Sequence, residues 1–133
     1  MCFDSHHVQD HDVVVQRWRG TVTVDAALKA KRAEMARAEH GPDTVWLADV
    51  RGVEVGVDFL PGWTEAVIRE FPDHLHRLAI VVDVPKTTAI SMMLAKENES
   101  RSKQTGVFST VESAVEWLGR DPEQCGAEAL GLS

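Results

Sequence analysis

The limits on this chain come first from what it lacks. No apolar run approaches the roughly 20 residues needed to span a bilayer, so stable membrane insertion is not expected. The opening MCFDSHHVQDHD has neither the basic start nor the apolar centre of a secretory signal, and a cytoplasmic location follows as the expectation. Basic residues are outnumbered: 14 Lys and Arg against 21 Asp and Glu leave a net charge of −7. A nucleic-acid binder needs a basic face and anionic lipid repels an acidic chain, so neither partner is expected, although Lys96, Arg101 and Lys103 form a local basic cluster. Cysteine is scarce. Cys2 and Cys125 lie near opposite ends in polar segments and are expected to stay reduced. No CxxC or CxxH pair exists to build a structural zinc site. There is no GxSxG elbow, and Val84-Pro85-Lys86-Thr87-Thr88 lacks the glycines that wrap a nucleotide phosphate. No cofactor and no catalytic residue is expected, and nothing positive marks the chain as an enzyme.

What remains is a chain of 133 residues, 44% hydrophobic and 26% charged, enough for one domain with one core. It is organised around Thr44–Gly62, TVWLADVRGVEVGVDFLPG. Val45 to Val50 reads as a buried strand, Arg51-Gly52 closes it, and a small-residue loop leads through Pro61-Gly62 to a helix carrying Trp63, Ala66, Val67 and Phe71. In open α/β sheets such a loop is where sites usually sit.

Residues 1–11 read as a flexible, His-rich leader holding His6, His7 and His11 beside Asp4, Asp10 and Asp12; a solvated tail is preferred to a metal site. Val13 to Trp18 reads as a strand. Arg19-Gly20 permits a turn, after which Thr21–Thr23 either pairs back or leads onward. A helix then opens at Asp25, capped by Thr23 or Asp25. Leu28, the Lys31 stem, Met35 and Ala38 form its inner face, with Ala27 and Val24 alongside; Lys29, Lys31, Arg32, Glu34, Arg37 and Glu39 form a solvated one. Pro72-Asp73 breaks the following helix, and His74 and His76 flank a Leu beside it, read as exposed loop histidines. Leu78 to Val84 should be a strand buried on both faces, ended by Pro85. Thr87 or Thr88 would cap a third helix with Ile90, Met93, Leu94 and the Glu97 stem inside, becoming polar towards Ser100–Lys103 and stopped by Gly106. Val107-Phe108 makes a short strand. Ser109-x-x-Glu112 is a capping box for a last helix with Val111, Ala114, Val115 and Leu118 on one face, ended by Gly119. Residues 121–133 read as a loose tail. The order β(β)α–βα–βα–βα implies a mostly parallel sheet with right-handed crossovers.

The segments VVVQRWRGTVTVDAAL, GPDTVWLADVRGVE, RLAIVVDVP and GVFSTVESAVEWLG, in that order, resemble a STAS domain, and the last resembles the SpoIIAA-like (STAS/SEC14) group in particular. The resemblance covers about residues 12–120. It implies one α/β domain with a mixed, mostly parallel sheet of four or five strands and about four helices. In the regulatory branch it also implies a phosphorylatable Ser at the start of the second helix. EVGVDFLPG has no Ser or Thr, and at the helix start Asp58 offers a negative charge in place of a phosphate. The SpoIIAA-like branch further implies a hydrophobic cleft and small-molecule or lipid-like ligands, compatible with Val55, Val57, Phe59, Leu60 and Trp63.

The residues nominated for ligand or partner contact are therefore Asp58, Phe59, Leu60, Trp63, Lys86, Thr87, Met92 and Met93. Of two adjacent helical methionines one must turn outward, and an exposed Met92 would favour a protein interface, a homodimer first. The expected function is a non-enzymatic binding or regulatory domain that engages a protein partner or small apolar molecule through the 54–63 loop and the third helix. A carrier with an enclosed cleft of several hundred Å³ is the alternative, and an enzyme using Asp49, Asp83 and Lys86 the remote one.

Overall fold

The computed structural model describes residues 1–37, 41–56, 59–70, 77–99 and 104–132, with Ile68 described by its backbone only. Ala38, Glu39, Val57, Asp58, Phe71, Pro72, Asp73, His74, His76 and Ser100–Lys103 lie outside the described residues, and the expectations placed on them with them.

Val13–Val22 forms one long strand, β2, against which the N-terminal β1 (Cys2–Val8) pairs antiparallel. β3 (Val45–Asp49), β5 (Arg77–Val81) and β6 (Gln104–Phe108) follow in parallel, giving the order β1-β2-β3-β5-β6. β4 (Val53–Val55) pairs parallel with the far end of β2. The helices are α1 (Val24–Arg37), α2 (Phe59–Glu70), α3 (Pro85–Glu99) and α4 (Val111–Trp117). Among the described residues this is a six-stranded mixed sheet with four helices. None of these helices is long and apolar enough to cross a membrane.

β4 continues the direction of β3 after an irregularity. Arg17 pairs with Asp49 and Gly20 with Val53, so β2 advances three residues where the other chain advances four. The surplus is absorbed at Arg51-Gly52, where Gly52 takes a φ of +81° that a side chain resists. The open question at Arg19-Gly20 is thereby answered: β2 runs straight on and does not turn back.

The period of two sorts the central strands onto two faces. Val13, Val15, Val45, Leu47, Ala79 and Val81 pack with α4. The alternate positions Gln16, Trp18, Ala48 and Ile80 look towards α1–α3. α4 buries Val111, Ala114, Val115 and Leu118 as its spacing predicts. Its cap is Thr110, one residue later than expected, whose hydroxyl accepts from the Ser113 N–H at 3.1 Å.

Both chain ends differ from expectation. The leader forms β1 because its alternation, Phe3, Ser5 and His7 inward, lets it satisfy the free edge of β2. Residues 121–132 fold into turns that bury Cys125, Leu130 and Leu132 under the α4 face of the sheet. Arg120 holds that segment to the β1–β2 turn and to the turn before β3, donating to the His11 carbonyl at 2.6 Å and the Asp43 carbonyl at 3.2 Å.

Two helix faces are rotated from the reading of the sequence. α1 buries Ala27, Ala30 and Glu34, while Leu28, Lys31 and Met35 are only partly covered. Alanine lets the helix sit close to the sheet, and Glu34 faces inward because polar partners wait there. α3 buries Thr87, Ser91 and Asn98 and leaves Met92 and Met93 60% and 58% exposed, so Met93 is not an inner residue. The strand expected over Leu78 to Val84 stops at Val81, with Asp83 and Val84 exposed, and Pro85 begins α3 instead of ending the strand. Thr88 is no cap: its hydroxyl donates back to the Val84 carbonyl at 2.8 Å. Gly106 belongs to β6 and does not stop α3.

Candidate functional site

Between the sheet and α1–α3 lies a cavity of about 130 Å³. Trp18, Phe59 and Trp63 supply its aromatic wall; Ala48, Val53 and Ile80 are among its aliphatic ones. α2 begins at Phe59, not near Trp63, and this one turn of extra helix sets Phe59 and Trp63 four residues apart on the same face. Their rings stack at 5.8 Å between centroids and 15° between planes. Leu60 is buried beside them and also lines the cavity.

Gln16, Thr87 and Ser91 are the polar side chains in the lining, and the first two are occupied elsewhere. The Gln16 amide donates to both Glu34 oxygens at 2.8 Å and accepts from the Trp18 indole at 3.3 Å. Glu34 accepts also from the Trp46 indole at 3.0 Å. Glu34, expected on a solvated face, is thus a buried acceptor tying α1 to two strands. The Thr87 hydroxyl reaches the Val53 carbonyl at 3.5 Å. With Gln16 and Thr87 turned to partners of their own and a lining otherwise mostly apolar, the cavity presents a surface suited to an apolar occupant.

Of the nominated residues, Phe59, Leu60, Trp63 and Thr87 converge on this cavity. Met92 and Met93 stand exposed on α3 and Lys86 is exposed in its first turn. Asp58 lies outside the described residues. Gln16 and Trp18 were missed. Their signal was the period of two along β2, which puts them on the same face of the sheet, the one that α2 and α3 cover.

Asp49 is completely buried and structural. Arg51 clasps it in a fork, Nε to Oδ1 at 2.9 Å and Nη2 to Oδ2 at 3.1 Å, and its own N–H donates to Oδ1 at 3.1 Å. Arg19 stands 3.6 Å away. Burial by itself would raise the Asp49 pKa; the Arg51 side-chain and backbone hydrogen bonds, with the charges of Arg51 and Arg19, outweigh it and hold the carboxyl below the usual range. Arg51 also donates to the Leu132 carbonyl at 3.2 Å, so the same ion pair anchors the C-terminal segment. Asp83 is exposed between β5 and α3.

In the N-terminal histidine group, His7 Nε2 lies 2.8 Å from Asp12 Oδ1, which also accepts from the Thr44 hydroxyl at 2.7 Å. The Thr44 hydrogen bond lowers the Asp12 pKa, against a smaller opposing effect of burial, with His7 adding to it. Among the described residues no three His, Cys, Asp or Glu side chains gather as a metal site would require.

No known protein-family profile matches the chain, and no curated protein does. Among solved structures it is similar to an uncharacterized protein of the DUF3478 family with a SpoIIAA-like fold, from Shewanella loihica PV-4. The two share 16% sequence identity at a TM-score of 0.59, over 88% of this chain and 92% of that one. The element order, the mixed sheet and this superposition agree: the chain has a SpoIIAA-like fold.

Proposed function

We propose that this is a non-enzymatic binding domain whose ligand is a small apolar molecule seated between the sheet and α2–α3. The observation that carries the reading is the cavity of about 130 Å³, walled by Trp18, Phe59 and Trp63 and by aliphatic side chains, with Gln16 and Thr87 turned to partners of their own. Dry apolar cavities of roughly 150 Å³ bind benzene-sized guests. The volume supports a ligand or ligand portion of that size over a cleft of several hundred Å³, and Met93 does not line it.

Benzene is a direct probe. Added near its aqueous solubility limit, it should shift the indole N–H resonances of Trp18 and Trp63, leave that of Trp117 unchanged, and raise the melting temperature. Ala48→Leu, which fills the cavity from the sheet, should abolish those shifts. Unmoved Trp18 and Trp63 resonances, or shifts that persist in Ala48→Leu, would refute the reading.

A further inference from the structure

We propose that β6 is the seam of a two-fold dimer in which the edge strands of two copies pair antiparallel about Gly106, extending the sheet from one copy into the other. β6 is the last strand in the sheet order. The Phe108 carbonyl accepts from the Val82 N–H at 2.9 Å, so the main chain of Phe108, and by alternation that of Gly106 and Gln104, faces β5. Thr105 and Val107 therefore turn their N–H and C=O groups outward. The strand, QTGVF, carries neither charge nor proline, the usual guards of an open edge. The opposite edge, β1, carries Asp4, His6 and His7.

A two-fold axis at Gly106 places Thr105 of each copy opposite Val107 of the other. Both are outward-facing positions, so the two pairs exchange four N–H···O=C bonds. Gly106 then meets Gly106 as a non-hydrogen-bonded pair, where antiparallel chains approach to about 4.5 Å between Cα atoms. A side chain is least welcome there: a Cβ on Gly106 would already lie 2.7 Å from the Phe108 ring of its own chain.

The flanks of β6 suit the same occupant. Two grooves of about 460 and 470 Å³ run along the strand and share Met92 and Val107. The exposed Met92 thioether offers adaptable apolar contact to whatever covers the strand. Lys96 and Glu99 line the first groove. Under the two-fold axis α3 runs antiparallel to its copy, so Lys96 meets Glu99 and Glu99 meets Lys96, the reciprocal exchange of an isologous interface. A peptide of either sign would meet one like and one unlike charge; a second copy satisfies both.

Sedimentation of the full chain over micromolar to about 100 µM concentrations tests this. The expected wild-type species has twice the 14.7 kDa chain mass. Val107→Pro removes an outward N–H while sparing the β5 ladder, which an edge position tolerates. It should sediment as a monomer with an unchanged circular dichroism spectrum. Lys96→Glu should weaken the dimer about tenfold or more by opposing like charges, and Lys96→Glu with Glu99→Lys should restore it. The proposal is overturned by a wild-type monomer throughout, or by a dimer that folded Val107→Pro leaves intact. It is equally overturned if the charge swap does not recover what Lys96→Glu loses, and that arm decides should Val107→Pro fail to fold.

Discussion

Replacing Asp49 by Asn tests whether the Asp49–Arg51 pair holds the kinked β3–β4 segment and the C-terminus together. The substitution preserves shape, removes the negative charge and leaves one accepting oxygen where Arg51 now finds two. Breaking a buried ion pair costs about 3–5 kcal/mol when the stranded charge stays buried. Here the stranded charges are Arg51 and Arg19, whose side chains are each 34% exposed while Asp49 is 0% exposed. Water reaches the freed cations, which moves the expected loss to the low end, about 3 kcal/mol, or roughly 10 °C in melting temperature for a chain of this size. Urea titrations followed by tryptophan fluorescence at pH 7 measure it. The pH dependence supplies a second check. The folded pKa of Asp49 lies below its unfolded value, so its stabilisation is complete above the unfolded pKa of about 3.9 and is lost as pH falls through the folded one. The gap between wild type and Asp49→Asn should therefore be constant from pH 7 to 5 and narrow below pH 4. A loss under about 1 kcal/mol at pH 7, the size of an exposed ion pair, would refute the structural role. So would a gap that stays the same down to pH 3.

Leu130→Ala should cost about 2–5 kcal/mol, as Leu47→Ala should, because both side chains are fully buried in one cluster; a loose tail would lose less than about 0.5 kcal/mol in the same denaturant titration. Glu34→Ala leaves the Gln16 amide and the Trp46 indole without their acceptor. It should destabilise by about 1–3 kcal/mol and shift the tryptophan emission of the folded state, whereas a solvated glutamate would do neither. Gly106→Ala puts a Cβ 2.7 Å from the Phe108 ring and 3.2 Å from Trp117, and the displaced rings should cost about 1–3 kcal/mol by calorimetry. Thr110→Ala should cost about 1 kcal/mol and Ser109→Ala far less, which distinguishes the cap found at Thr110 from the one expected at Ser109.

The sequence by itself determined the alternation of strands and helices, the burial of β3 and β5, and the inner face of α4. Each rests on a local signal: short apolar runs, Val45–Ala48 and Leu78–Val82, and a clean 3–4 spacing from Val111 to Leu118. It also put Phe59, Leu60 and Trp63 at the candidate cavity, because large apolar residues entering a helix beside a sheet have few other places to go. Only the tertiary structure decided the rest. Short polar segments at the two ends were ordered by what they met: β1 by the open edge of β2, residues 121–132 by the apolar face beside α4 and by Arg51 and Arg120. The rotation of α1 was set by Gln16 and Trp46, 18 and 12 residues from Glu34 in the chain, which turn an acidic residue into a buried acceptor. Pairing across such separations carries no local periodicity, and an Ala-rich helix carries too weak an apolar stripe to choose its own inward face.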